Sequence, residues 1–204
     1  MAYTTFHFKS KVLEKDTAVN VILPLRYNDG ALAKDHRSPV LYLLHGLSDD
    51  YTSWMRMSSI ERYVRHKNLA VVMPDADRTF YANTKSGRRY FDYITKELPE
   101  VMEHIFPIYN EKKHRFVAGF SMGGYGALKC ALTPPYNYRA CASFSGAVDI
   151  YRVHSNTERM AGVLSVLGSA VDEENDLMAL VQNAGKNIPS IYQSCGMEDF
   201  LYKD

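Results

Sequence analysis

The chain has 204 residues, 46% of them hydrophobic and 23% charged, which is long enough for one large core and hardly for two. A formal net charge of +1, with no run of like charges, offers no field for a polyanion, so nucleic-acid binding is disfavoured. The first ten residues lack the apolar stretch of a secretion signal and no apolar run could cross a bilayer, so the sequence predicts no membrane association and a cytoplasmic location.

Phe6, Phe8 and Val12 fall on one face of an extended chain, with His7, Lys9 and Lys11 on the other, and the stretch from Thr17 to Leu25 alternates again. The chain therefore opens with two strands joined near Glu14, Lys15 and Asp16, an antiparallel hairpin at a sheet edge. A polar loop follows from Asn28 to Pro39. Val40 to Leu44 is a continuous apolar run, as expected of a strand buried on both faces, and it ends in His45-Gly46-Leu47-Ser48. Ser53 and Trp54 lead a helical pattern through Ile60, Tyr63 and Val64, and Leu69 to Pro74 reads as the next buried strand.

Asp75 to Arg88 is a polar loop holding Phe80 and Tyr81. A helix is expected from about Tyr90 to Phe106, with Pro99 kinking it or marking a first turn. Arg115 to Ala118 is a strand leading into Gly119-Phe120-Ser121-Met122-Gly123 and then into a helix through Ala127, Leu128 and Ala131, which Pro134 and Pro135 stop. Cys141 to Gly146 gives a further strand, Met160 to Leu167 and Leu177 to Val181 are helical, and Ile188 to Cys195 is the last strand. Strands alternating with helices predict one α/β domain over residues 1–204 with a mostly parallel sheet. Cys130, Cys141 and Cys195 are odd in number and widely spaced, which suits buried free thiols rather than a disulfide or metal framework.

The G-x-S-x-G at Gly119 to Gly123 is the pattern of a nucleophile elbow, in which strain holds the serine hydroxyl clear of the sheet and glycines let strand and helix pinch together. A phosphate loop fails on Tyr125, which stands where a lysine is needed, and no G-x-G-x-x-G occurs. Three strand ends then supply three parts: Ser121 as nucleophile, the Leu47 and Met122 amides as an oxyanion hole, and Asp199 as a carboxylate to orient a histidine. Glu198 and Asp149 compete with Asp199. His45, Gly46, Trp54 and Tyr81, together with Phe80, are expected to line a small acyl pocket.

These motifs resemble a family. Leu43-Leu44-His45-Gly46-Leu47-Ser48, Ser53-Trp54, Met73-Pro74-Asp75, Phe80-Tyr81, Glu97-Leu98-Pro99, the run from Gly119 to Ala127 and Cys195-Gly196-Met197-Glu198-Asp199-Phe200-Leu201 look like the tributyrin esterase and esterase D group of α/β-hydrolases. The resemblance spans residues 6 to 202. It implies an α/β-hydrolase fold with helices on both faces of the sheet. It also implies a serine carboxylesterase cleaving acetyl to butyryl esters, with Ser121, Asp199 and the Leu47 and Met122 amides in the roles above and with no cofactor or metal. S-formylglutathione hydrolases are similar too, but that branch typically has a serine-glycine pair and a cysteine at the oxyanion loop, where this chain has His45-Gly46.

The family pattern places its triad histidine after the acid, and none of the seven histidines here follows Asp199. His7, His36, His66, His104 and His114 read as surface or packing residues, and His154 is out of order. The sequence therefore predicts a domain truncated at its C-terminus, lacking a strand and a helix, with Ile188 to Cys195 as an exposed edge. A C-terminal fragment would travel as a separate partner, and the chain alone would be nearly inactive. An acyltransferase of the same fold and a non-catalytic binding protein stay open as alternatives, as does a homo-oligomer.

Overall fold

The computed structural model describes residues 1–33, 36–150, 163, 166–167 and 172–202. Seven strands form one sheet: β1 (Ala2–Ser10), β2 (Lys15–Leu23), β5 (Val40–Leu44), β6 (Ala70–Pro74), β7 (Arg115–Phe120), β8 (Ala140–Phe144) and β9 (Ser190–Ser194). Their spatial order is β1-β2-β6-β5-β7-β8-β9. β1 pairs with β2, and β2 with β6, antiparallel; the other pairings are parallel. The expected hairpin is thus at one edge, closed by the carboxylate of Glu97, which accepts the Lys11 N–H at 2.6 Å. Within the predicted polar loop a two-stranded hairpin forms, β3 (Tyr27–Asn28) with β4 (Ala31–Leu32).

The sheet is covered on both faces because its central strands alternate two apolar sets. Val40, Tyr42 and Leu44 of β5, with Val72 of β6 and Val117 of β7, join the larger core. Leu43, Val71, Met73 and Ala118 face the smaller one, against Trp54 and Ile60. The helices on that second side are two short ones, α1 (Ser53–Met57) and α2 (Ile60–Val64), where one was expected. Ser58 separates them with extended backbone, its hydroxyl donating back to the Trp54 carbonyl at 2.5 Å.

On the first side, α3 (Tyr90–Asp92) runs through a π-helical turn, Tyr93–Glu97, into α4 (Leu98–Ile105). Pro99 lies in the first turn of α4, directly after the π-helical turn, so the N–H it lacks falls where the helical bonding pattern changes. The helix α5 (Met122–Leu132) has every residue buried, and α6 (Leu177–Gln182) is capped by the Asp176 carboxylate on the Met178 N–H at 2.9 Å. Of the predicted Met160 to Leu167 helix, all but Val163, Val166 and Leu167 lie outside the described residues.

β9 is an exposed edge as expected, all five of its residues being accessible. The reading of three buried thiols needs one correction. Cys130 and Cys141 are buried in the core, but Cys195 leaves the sheet with β9 and is exposed.

Candidate active site

The parallel strands β5, β6, β7, β8 and β9 end on the same side, so the loops carrying Leu47, Asp75, Ser121, Ser145 and Asp199 share one edge of the sheet. Between β7 and α5 the chain turns within one residue. Ser121 takes φ 54° and ψ −116°, a backbone conformation costly for a residue with a side chain. Its N–H donates to the Phe144 carbonyl of β8 at 2.9 Å, and its carbonyl accepts the Tyr125 N–H at 3.1 Å, starting the helix. A β-carbon at Gly119 would run into the backbone of Gly123, and one at Gly123 into the Leu44 carbonyl, so glycine is required at both by close approach.

Ser121 is half-buried, and among the described residues none holds its hydroxyl by a hydrogen bond. The Met122 N–H belongs to the first turn of α5, where backbone donors have no partner within the helix and the dipole is positive.

Across from the elbow, the loop after β5 is braced from below. The His45 ring accepts the Ala76 N–H at Nε2 (2.9 Å), so the ring hydrogen sits on Nδ1 and is donated to the Gly46 carbonyl at 2.8 Å. The Tyr81 hydroxyl donates to the His45 carbonyl at 2.9 Å. Burial pushes the Tyr81 phenol well above its ordinary pKa, partly offset by that bond, so the hydroxyl stays a donor. The Trp54 indole N–H donates to the Leu44 carbonyl at 3.0 Å. The Asp49 N–H closes the loop on the Gly46 carbonyl at 3.2 Å, leaving Leu47 half-buried at its turn and Ser48 at φ 69°.

These contacts correct the expected pocket. His45, Phe80 and Tyr81 are at most 1% exposed and support the loop from beneath; they have no surface to offer a substrate. Trp54 is half-buried with its polar edge committed to β5. Gly46 is itself buried, and a β-carbon on it would meet the Phe120 ring and the Asp49 carboxylate. The exposed apolar groups there are Phe120 (46%) and Phe144 (37%), paired in register at the ends of β7 and β8. The sequence reading did not single them out; their signal was their place as last residues of strands flanking the elbow.

Asp199 sits in the turn after β9, two strands from Ser121, with its carboxylate accepting the Leu201 N–H at 3.0 Å. Asp149, its rival, is half-buried after β8. The described histidines are engaged elsewhere or lie away from the elbow in the chain's topology. His7 is in β1, His36 holds Asn68 at 2.7 Å, His104 is in α4 and His114 stacks on Tyr109. His66 lies beyond α2, beside Arg65. His154 lies outside the described residues.

This sheet order, with a strained serine at the strand-to-helix turn after β7, defines an α/β-hydrolase fold, and two solved structures that match most of the chain at more than 30% identity are a serine hydrolase and an S-formylglutathione hydrolase. The chain belongs to the esterase family, whose model, described as "Putative esterase", matches residues 10–203. It is 32% identical over 222 aligned residues to the acetyl esterase of Caldicellulosiruptor saccharolyticus, taking in 100% of this chain and 83% of that protein. The substrate-bound structure of fluorophosphonate-binding serine hydrolase F from Staphylococcus aureus matches 99% of this chain and 82% of its own, with TM-score 0.88 and 33% identity. The S-formylglutathione hydrolase of the same organism, solved as the apoenzyme, matches 100% of this chain and 82% of its own, with TM-score 0.85 and 34% identity.

Proposed function

We propose that the chain is built for acyl transfer from small carboxylic esters to water, with Ser121 as the attacking hydroxyl. The observation that carries this reading is the backbone of Ser121, held at φ 54° between two obligatory glycines and at the start of α5. Strain of this kind is retained where a side chain must be presented. In the proposed reaction Ser121 Oγ attacks the carbonyl carbon, a general base takes its proton, and the Leu47 and Met122 amides receive the oxyanion. The alcohol leaves and water releases the acyl group. Asp199 is the acid that would orient the base.

Support for a short acyl group, acetyl to butyryl, comes from the acetyl esterase relative and from the exposed Phe120 ring, which a β-carbon on Gly46 would meet. The S-formylglutathione hydrolase neighbour makes a thioester the nearest competing substrate class. A transferase of the same geometry would differ only in its acyl acceptor.

A second reading is binding without turnover, in which the same presented serine faces a ligand that it does not attack. One experiment decides between the two. A fluorophosphonate probe and p-nitrophenyl acetate are applied to the protein together with the C-terminal segment expected to supply the base, and to the same material with Ser121→Ala. Labelling and cleavage that vanish together in the variant support the esterase. Material in which the base is supplied and which still leaves both reagents untouched is the result expected of the binding protein.

A further inference from the structure

The segment from Asp75 to Tyr81, between β6 and α3, carries no part of the chemistry proposed above, yet Asp77, Phe80 and Tyr81 all have positive φ, 52°, 52° and 53°. Three non-glycine residues in that region within five positions are held there by contacts that outweigh the strain. Those contacts point two ways. Toward the loop after β5, the Ala76 N–H reaches His45 Nε2, the Tyr81 hydroxyl reaches the His45 carbonyl, and Arg78 donates to the Ser48 hydroxyl. Toward the nucleophile helix, the Phe80 ring lies 5.8 Å from that of Tyr125, and the Tyr81 ring fills the notch at Gly126, where a β-carbon would strike its Cβ, Cγ and Cδ2.

We infer that Tyr81 is a positioning residue for the oxyanion hole, a fixed spacer between α5 and the Gly46–Ser48 loop that sets the separation of the Leu47 and Met122 amides; this rests on the esterase reading. An oxyanion gains most from donors already in place, because nothing then reorganises during the reaction. The ring touches the helix that begins with Met122, and its hydroxyl holds the carbonyl two residues before Leu47. Either contact alone would be packing. Together, in one fully buried side chain, they tie the two halves of the hole to each other.

Tyr81→Phe removes the hydroxyl and keeps the ring, whereas Gly126→Ala keeps the hydroxyl and displaces the ring. Amide exchange at Asp49 and Ala76 reports the loop, since Asp49 N–H bonds Gly46 and Ala76 N–H bonds His45. Tyr81→Phe is expected to raise exchange at both by about fivefold to tenfold, the scale of one hydrogen bond, with Tyr125 and the β7 amides unchanged. Tyr42→Phe, which removes a buried hydroxyl without a partner among the described residues, is expected to leave all of them unchanged.

In the native chain the Asp49 and Ala76 amides are expected to open together. A more than tenfold difference between their corrected opening constants would overturn the proposal even if neither variant folds. Uniform change across the sheet, or none at the loop, would also overturn it. On p-nitrophenyl acetate, in protein that includes the segment supplying the base, Tyr81→Phe should lower kcat about tenfold with KM held. Should Ser121→Ala, with the base supplied, cleave the ester as fast as the protein with Ser121 intact, the esterase reading fails, while the exchange result still judges the spacer.

Discussion

Gly123 sits so close to the Leu44 carbonyl that a β-carbon on it would stand 2.3 Å from the oxygen. That carbonyl cannot retreat, because it ends β5 and already accepts the Trp54 indole N–H. Gly123→Ala therefore forces α5 away from the sheet and is expected to cost about 3 kcal/mol or more, the scale of overpacking in a fixed core. A urea midpoint shifted by less than the equivalent of 1 kcal/mol would contradict the close approach.

Ser121 pays in backbone strain for its place at the turn, so stability and presentation oppose each other there. Replacing it with glycine relieves the strain, and replacing it with alanine does not. Ser121→Gly is expected to be about 1 kcal/mol more stable than Ser121→Ala, even after glycine's larger unfolded-state entropy. Equal stability of the two would mean that the turn is not strained.

Chain length selectivity is expected to follow Phe120, since Phe80 and Tyr81 are buried. Phe120→Ala opens the wall beside Gly46 and should raise the octanoyl-to-butyryl ratio of kcat/KM by about tenfold, the discrimination that removing a few contacting carbons brings. A ratio unmoved by the substitution would place the acyl group elsewhere.

Lys129, on α5 behind the nucleophile, is buried with its ammonium on Asn175 Oδ1 at 2.5 Å and 4.5 Å from the centre of the Phe91 ring. Burial lowers its pKa from 10.5 to about 8, with Cys130, Glu174 and Asp92 opposing the fall. Below pH 8 the folded and unfolded chains both hold the proton. Between pH 8 and 10.5 the unfolded chain binds more, so stability must rise with pH through that window, by about 3 kcal/mol. Cys130 and Cys141, with thiols that burial pushes up to about 12, act in the opposite sense above pH 9. The effect is therefore read as native minus Lys129→Met, and a flat difference curve would contradict it.

The three cysteines should separate cleanly by reactivity. Iodoacetamide is expected to modify Cys195 in the folded chain and to reach Cys130 and Cys141 only on unfolding. Peptide mapping after brief alkylation checks this, and early modification of Cys141 would contradict the packing of β8.

Much of this arrangement was legible in the residues. Val40 to Leu44 and Leu69 to Pro74 read as buried strands because an apolar run with no polar alternation has few other uses in a chain this size. The elbow was legible because its glycines answer a steric demand that the strand-helix turn imposes. Phe80 and Tyr81 were misplaced for the opposite reason. Their burial depends on positive φ values and on a notch at Gly126, forty-odd residues away, and neither leaves a periodic trace. The π-helical turn at Tyr93–Glu97 was hidden likewise, since one wider turn shifts the apolar spacing too little to be seen in one pattern. Cys195 read as buried because its neighbours are small; its exposure follows from β9 lying at the edge.

The position of β9 has a thermal consequence. Ser121 hangs from β7, gripped by β5 and β8 on either side, whereas Asp199 hangs from a strand bonded on one side only, with all five of its residues in water. Edge elements of this kind fray at free energies well below that of global unfolding. With Asp199 as the acid of the proposed reaction, warming would loosen the carboxylate while the serine stayed fixed. The placement of Asp199 would be lost some degrees before the core melts, leaving a folded molecule that still presents its nucleophile.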